Sequence, residues 1–289
     1  MSKPQPVLGD MPFHVKQNIA SWTSTKTRWV NLQHFSYLLS SSLSLRLCSK
    51  EYKKIVDECV TRYNSLSVEL FSDINYLQIK FETDKGVKVA LAYFTKGNGY
   101  VMQAYNKWEK PYSTGNFIEA GVQYLSKFIE DKKMFLKSFL LTIRYRERDG
   151  YSQNRHGIQL PQCSYEQFKE NERMFFERLQ EAHRSTGRKL KVEKFKMIYC
   201  GPDDRITSVL RNFHPGILNN IVLFSEPLIR DLPLANLMAT EQWRQAEKFD
   251  TLQWIVDVPF EKWSHFSSVK LMMPTVSIST LRDMIEVRK

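Results

Sequence analysis

The chain of 289 residues carries 42 Lys and Arg against 31 Asp and Glu, a net charge of +11, and 42% of it is hydrophobic. That apolar content excludes a globally disordered chain, and no run approaches the roughly 18 apolar residues of a membrane span. The opening MSKPQPVLGDMPF lacks the apolar core of a secretory signal, so the expectation is a soluble intracellular protein, cytoplasmic or nuclear.

Residues 1–10 hold two prolines and a glycine and read as a loose tail. MPFHVKQNIASW predicts a short helix opened by Pro12, with Val15 and Ile19 on one face. A Ser/Thr-rich stretch follows, and then LSLRLCSKEYKKIVD. There Leu45, Cys48, Tyr52 and Ile55 recur at helical spacing, opposite Lys50, Glu51, Lys53 and Lys54. From residue 63 the period changes to two. SLSVELF, NYLQIKF and VKVALAYF read as a small antiparallel set with turns at FSDIN and TDKG. KGNGYVMQAYNKWEKPYSTGN is ambiguous, with Lys110-Pro111 as a break.

Beyond residue 114, four helical segments are predicted: NFIEAGVQYLSKFIED, YEQFKENERMFFERLQEAHR, DRITSVLRNF and PLANLMATEQWRQA. Among them recurs a six-residue pattern: LKSFLL, VEKFKM, LNNIVL, AEKFDT and FSSVKL. Its apolar residues fall at positions 1, 4 and 6, except for Thr251 in the fourth copy. Position 4 advances from Phe139 to Phe195, Ile221, Phe249 and Val269, in steps of 56, 26, 28 and 20 residues. Such spacing points to stacked helix-strand units around a parallel sheet, because one unit cannot bury its apolar face alone. The first step is long enough to hold two units, with RYRERDGYSQNRHGIQLPQCS as an insertion.

No constellation for catalysis emerges. The six histidines form neither HExxH nor a partnership with a nucleophile motif, and TKGNGY lacks the ending of a phosphate loop. Asp203 and Asp204 follow Gly-Pro and read as helix-capping residues. The four cysteines make no CxxC pair and sit at no zinc-ligand spacing, so buried free thiols are expected, with no metal and no cofactor. Residues 126–211 hold 19 basic and 12 acidic side chains, a field that suits an acidic protein or RNA. RYRERDGYSQNRH mixes arginine with tyrosine as single-strand RNA binders do, yet Glu147 and Asp149 interrupt it, and a solvated loop is the simpler reading.

Several runs carry a family resemblance. GNFIEAGVQYLSKFIEDKKMFLKSFLL, GRKLKVEKFKM, FHPGILNNIVL, TEQWRQAEKFDTL and WSHFSSVKLMMPTVSISTLRDMI resemble the FTH domain of nematode F-box proteins, across roughly residues 63–289. MPFHVKQNI and LSLRLCSKEYKKIVD resemble an F-box, in the right order but further apart than in that family. The resemblance implies residues 11–62 as a divergent F-box-like helical module. Residues 63–289 would then be an FTH-like α/β repeat domain with an antiparallel start at 63–110, leucine-rich-repeat-like in its stacking. The fold class expected is therefore α+β. The function implied is that of a non-catalytic substrate-recognition adaptor of an SKP–cullin–F-box ubiquitin ligase. Met11, Pro12, Val15, Ile19, Leu45, Leu47, Cys48, Tyr52, Ile55 and Val56 would contact the SKP-type adaptor. The other reading, motivated by the basic middle and the longer gap, is an RNA-regulatory or scaffolding protein without ligase coupling.

Strand alternation then nominates a surface for the substrate. With positions 4 and 6 facing the core, positions 3 and 5 face outward. These are Ser138 and Leu140, Lys194 and Lys196, Asn220 and Val222, Lys248 and Asp250, and Ser268 and Lys270. Four lysines against one aspartate suit an acidic protein segment.

Overall fold

The computed structural model describes residues 61–71, 75–84, 86, 88–104, 108–112, 114–131, 134–144, 152–153, 159–160, 163–199, 204–225, 234–254 and 262–272. The chain divides into two units, Met1–Arg62 and Tyr63–Lys289, and nearly all the described residues belong to the second. Every residue named for adaptor contact, from Met11 to Val56, lies outside the described residues.

Ten strands form one sheet in the order β12-β11-β10-β9-β6-β1-β2-β3-β4-β5, and its two halves follow different rules. The first half is an antiparallel meander. It runs through β1 (Thr61–Phe71), β2 (Tyr76–Thr83), β3 (Lys88–Lys96), β4 (Gly99–Ala104) and β5 (Trp108–Tyr112). The predicted antiparallel set is thus larger than expected and continuous with the parallel part. The ambiguous stretch after Lys96 supplies β4 and β5. Pro111 does not break β5 but sits inside it, which is tolerated because β5 is the outermost strand, with one side free of ladder bonds.

The second half is parallel and in chain order: β6 (Met134–Arg144), β9 (Lys191–Tyr199), β10 (Asn220–Ser225), β11 (Lys248–Trp254) and β12 (Ser268–Met272). β6 pairs directly with β9 in the sheet, so the long first step is one unit with an insertion and not the two units expected. That insertion carries a separate two-stranded hairpin, β7 (Ser152–Gln153) with β8 (Gln159–Leu160).

The described helices pack on one face of the sheet. α1 (Phe117–Glu130) is capped by Asn116, whose Oδ1 accepts from the N–H of Ile118 at 2.7 Å. It buries Phe117, Ile118, Val122, Leu125 and Ile129 against the meander. α2 (Tyr165–Thr186) starts at Ser164, whose Oγ accepts from the N–H of Gln167, and stops at Gly187, whose φ of 61° suits the left-handed cap. α1 packs on α2, and α2 on α3 (Asp204–Leu210). The fourth predicted helix is two short ones, α4 (Ala235–Met238) and α5 (Glu241–Gln245). Thr240 separates them: its backbone is extended, its hydroxyl donates to the Leu237 carbonyl, and it accepts from the N–H of Trp243. Just before β12 the Phe266 N–H closes a tight turn on the Trp263 carbonyl.

The core of the parallel half is built in rows by its register. Phe139, Phe195, Ile221, Phe249 and Val269 are aligned across the five strands, all but Val269 buried. Leu141, Met197, Leu223 and Thr251 form the next row, so Thr251 occupies a core position beside Leu223. Phe213 closes over the first row, 5.6 Å from the Phe139 ring and 4.8 Å from the Phe195 ring. Trp243 packs with Phe249, Trp263 and Phe266 at the far end of the core.

Position 1 is buried too: Leu136, Val192, Leu218, Ala246 and Phe266. In regular strand geometry positions 1 and 4 point to opposite faces, so a break in alternation must separate them. The backbone supplies it. The Asn219 carbonyl accepts both the Glu247 and the Lys248 N–H at 2.9 Å, and the Glu247 carbonyl accepts both Ser267 and Ser268. The same two-to-one pairing, a bulge, thus recurs at the entries of β11 and β12, and there it turns positions 2 and 3 outward together.

Candidate functional site

The bulge decides what the outward face of the parallel half displays. Position 3 forms the row Ser138–Lys194–Asn220–Lys248–Ser268, and position 5 forms Leu140–Lys196–Val222–Asp250–Lys270. All ten residues named from strand alternation thus share one face, in two adjacent rows. Lys194, Lys248, Ser268 and Lys270 are exposed. Among the described residues, none of these three lysines makes an ion pair.

The face differs from the expected open stripe in two ways. Val222 is only 4% exposed, and Ile198 and Thr142, further along the same side, are buried as well. The accessible part is therefore the beginning of each strand, not its whole length. Lys196 is half-buried and holds its ammonium 4.9 Å from the Phe224 ring centroid, a cation–π contact that keeps it against the sheet.

Charge on this face is banded, not uniformly basic. The bulge brings Glu247 and Ser267, at position 2, outward, and Lys137, Glu193 and Asn219 at the same position are not buried either. Glu193 and Glu247 run beside Lys194 and Lys248, and Asp250 lies between Val222 and Lys270. The sequence pattern contained these carboxylates, but perfect alternation left position 2 without a clear side. An extended partner crossing the strands would meet Lys194 and Lys248 about 10 Å apart, two strand spacings.

A second polar cluster is buried where α2 crosses the end of β9. Glu172, 3% exposed, accepts from the Tyr199 hydroxyl at 2.7 Å and from the Lys169 ammonium at 2.9 Å. Burial, and next the Glu172 carboxylate, push the Tyr199 hydroxyl far above the usual tyrosine range, so it remains a donor. Arg205 lies over the Phe176 ring at 4.9 Å and partly offsets that shift. Sequence spacing did not reveal this cluster, because Glu172 looks like one more charge on an acidic, basic helix. Asp204, read as a capping residue, lies in the first turn of α3. Cys163 is buried, and its thiol donates to the Ser164 carbonyl.

Among the described residues no cluster of three or more His, Cys, Asp or Glu is placed to hold a metal ion, and no helix is long and apolar enough to cross a membrane. Most of the arginine-tyrosine insertion at 144–156 lies outside the described residues.

Comparison with known proteins adds one finding. The model of the FTH domain matches residues 173–289, whereas no curated protein and no solved structure matches the chain. GNFIEAGVQYLSKFIEDKKMFLKSFLL, which forms α1 and β6, lies outside that match, so it covers less than the resemblance suggested. The segment from Arg173 onward, which supplies four of the five parallel strands, is thus similar to the FTH domain.

Proposed function

We propose that this chain is a substrate-recognition adaptor of an SKP–cullin–F-box ubiquitin ligase, with no catalytic residues of its own. The FTH match at residues 173–289 carries the reading, because that domain is linked to F-box proteins in general. The F-box-like runs MPFHVKQNI and LSLRLCSKEYKKIVD, which precede it in the expected order, support it further. In this reading Met11 to Ile19 and Leu45 to Val56 dock onto the SKP-type adaptor, and the complex works inside the cell.

The banded face of β6, β9, β10, β11 and β12 is the surface for the substrate. Exposed, unpaired Lys194 and Lys248 suit acidic side chains on an extended protein segment, with Asn220 between them as a hydrogen-bonding group. Position on a rigid parallel sheet holds these groups at fixed separation, so spacing contributes to selection.

The test is a pull-down of the full chain with a purified SKP-type adaptor, beside an ordinary F-box protein as control. The expected result is retention that Leu47→Glu and Ile55→Glu abolish. No retention, under conditions in which the control binds, overturns the adaptor role.

A further inference from the structure

The turns that lead from helices into parallel strands enclose a second surface feature. A cleft of about 410 Å³ opens between the end of α1, the C-cap of α2, the start of β9 and the turn at His214. That volume lies within the range of small-ligand sites. Its lining includes Ile129, Met134 and Leu190, each largely buried. Arg188, Lys189, Lys191 and His214 also line it, and Asp131 is the one carboxylate among the described lining residues.

One of these cations has a structural task. α1 ends here with unsatisfied carbonyls, and Arg188 donates to the Glu130 carbonyl at 2.6 Å, answering the negative end of that helix. Lys189 and Lys191 have no such partner. Both are exposed, and among the described residues neither makes an ion pair or a side-chain hydrogen bond. His214 is exposed beside them. The local sequence HRSTGRKLKV, residues 183–192, contains no acidic residue at all. Cations in excess of what the helix ends require thus converge on one concavity.

The lining also discriminates between anions. Its described lining residues include no Phe, Tyr or Trp, so they offer little on which a nucleic-acid base could stack. Two ammonium groups and a fixed guanidinium instead match a compact, doubly charged oxyanion with several acceptor oxygens.

We propose that this cleft binds a phosphate monoester, with Lys189 and Lys191 as its principal contacts and Arg188 as a fixed third donor. The site goes beyond the adaptor reading and does not depend on it. A phosphorylated side chain of a protein and free phosphate present the same chemistry, and the experiment separates them.

The ¹⁵N-labelled full chain is titrated at low ionic strength with inorganic phosphate, with a phosphoserine tripeptide and with the unphosphorylated tripeptide. Saturable amide shifts are expected at Gly187–Lys191 and His214 with the first two probes and none with the third. Tighter binding of the phosphopeptide assigns the site to a modified protein, and equal or weaker binding assigns it to free phosphate. Lys189→Glu with Lys191→Glu should weaken both at least about tenfold, because two unit charges beside the oxyanion change sign. Lys262→Glu, at an exposed position before β12 that does not line the cleft, should leave them unchanged. Should the double glutamate variant not fold, Lys189→Gln with Lys191→Gln is read instead. Absence of saturable shifts, or equal shifts in the folded double variant, overturns the proposal. So does tighter binding of oligouridylate at the same amides, which would make the cleft an RNA contact.

Discussion

Asn171, in the second turn of α2, donates from its side-chain amide to the Oδ1 of Asn75 at 2.6 Å, across 96 positions of sequence. Asn75 lies next to the start of β2 with a left-handed φ of 45°, a conformation Asn tolerates better than most residues. The bond ties the antiparallel meander to the crossover helix of the parallel half. Asn171 is 2% exposed, so water cannot replace the partner it holds. Asn171→Leu, similar in volume, should destabilise the domain by about 1–3 kcal/mol through the lost hydrogen bond. Chemical denaturation of the two proteins measures it, and an unchanged midpoint would show that the halves are joined by apolar packing alone.

His183 makes stability depend on pH. It is buried on α2 beside a small cavity lined by Leu66, Met134, Phe139 and Phe213, and its Nδ1 has no partner. Burial pulls its pKa down from 6.5 to about 4, against a small opposing effect of the Arg188 backbone. The folded value lies below the unfolded one, so the unfolded chain binds the proton more tightly. The stabilisation due to neutral His183 is complete above pH 6.5 and is lost as the pH falls towards 4. The loss is on the order of 3 kcal/mol. Denaturation midpoints between pH 7 and pH 4 should fall less steeply in a folded His183→Leu variant. Parallel curves would assign the acid sensitivity to other groups.

Gly121 sets the distance between α1 and β2. A Cβ at this position would stand 2.2 Å from Leu77 Cδ2, and Leu77 is fully buried, with little room to move aside. Gly121→Ala should therefore cost about 1–3 kcal/mol by overpacking, although alanine is the better helix former. Adding Leu77→Ala should cost less in this background than alone, a coupling that a double-mutant cycle reads directly. Strict additivity would mean that the helix simply shifts outward.

The two faces of β9 should respond oppositely to substitution. Phe195 is fully buried between Phe139 and Phe213, so Phe195→Ala should cost about 3–5 kcal/mol. Its neighbour Lys194 is exposed and unpaired, so Lys194→Glu should change stability by less than about 0.5 kcal/mol. Thermal denaturation of both variants checks the pair. A strongly destabilised Lys194→Glu would reverse the assignment of faces.

Local pattern was enough for the elements whose evidence lies in neighbouring residues. The 1-4-6 spacing located all five parallel strands, and the helical periods located α1, α2 and α3, because apolar periodicity and capping residues such as Asn116 and Ser164 act within a few positions. It also put the ten outward residues on one side, since register across a parallel sheet aligns equivalent positions of each copy. Long-range packing settled the rest. Pro111 could enter a strand only because β5 is the sheet's edge, and Glu172 became a buried hydrogen-bond acceptor only when α2 crossed Tyr199. The bulge that turns Glu247 outward depends on the Asn219 carbonyl of the neighbouring strand, which no local spacing contains. The basic cleft needs the ends of α1 and α2 and the turn at His214 to meet, and only the crossovers of the folded sheet bring those distant turns together.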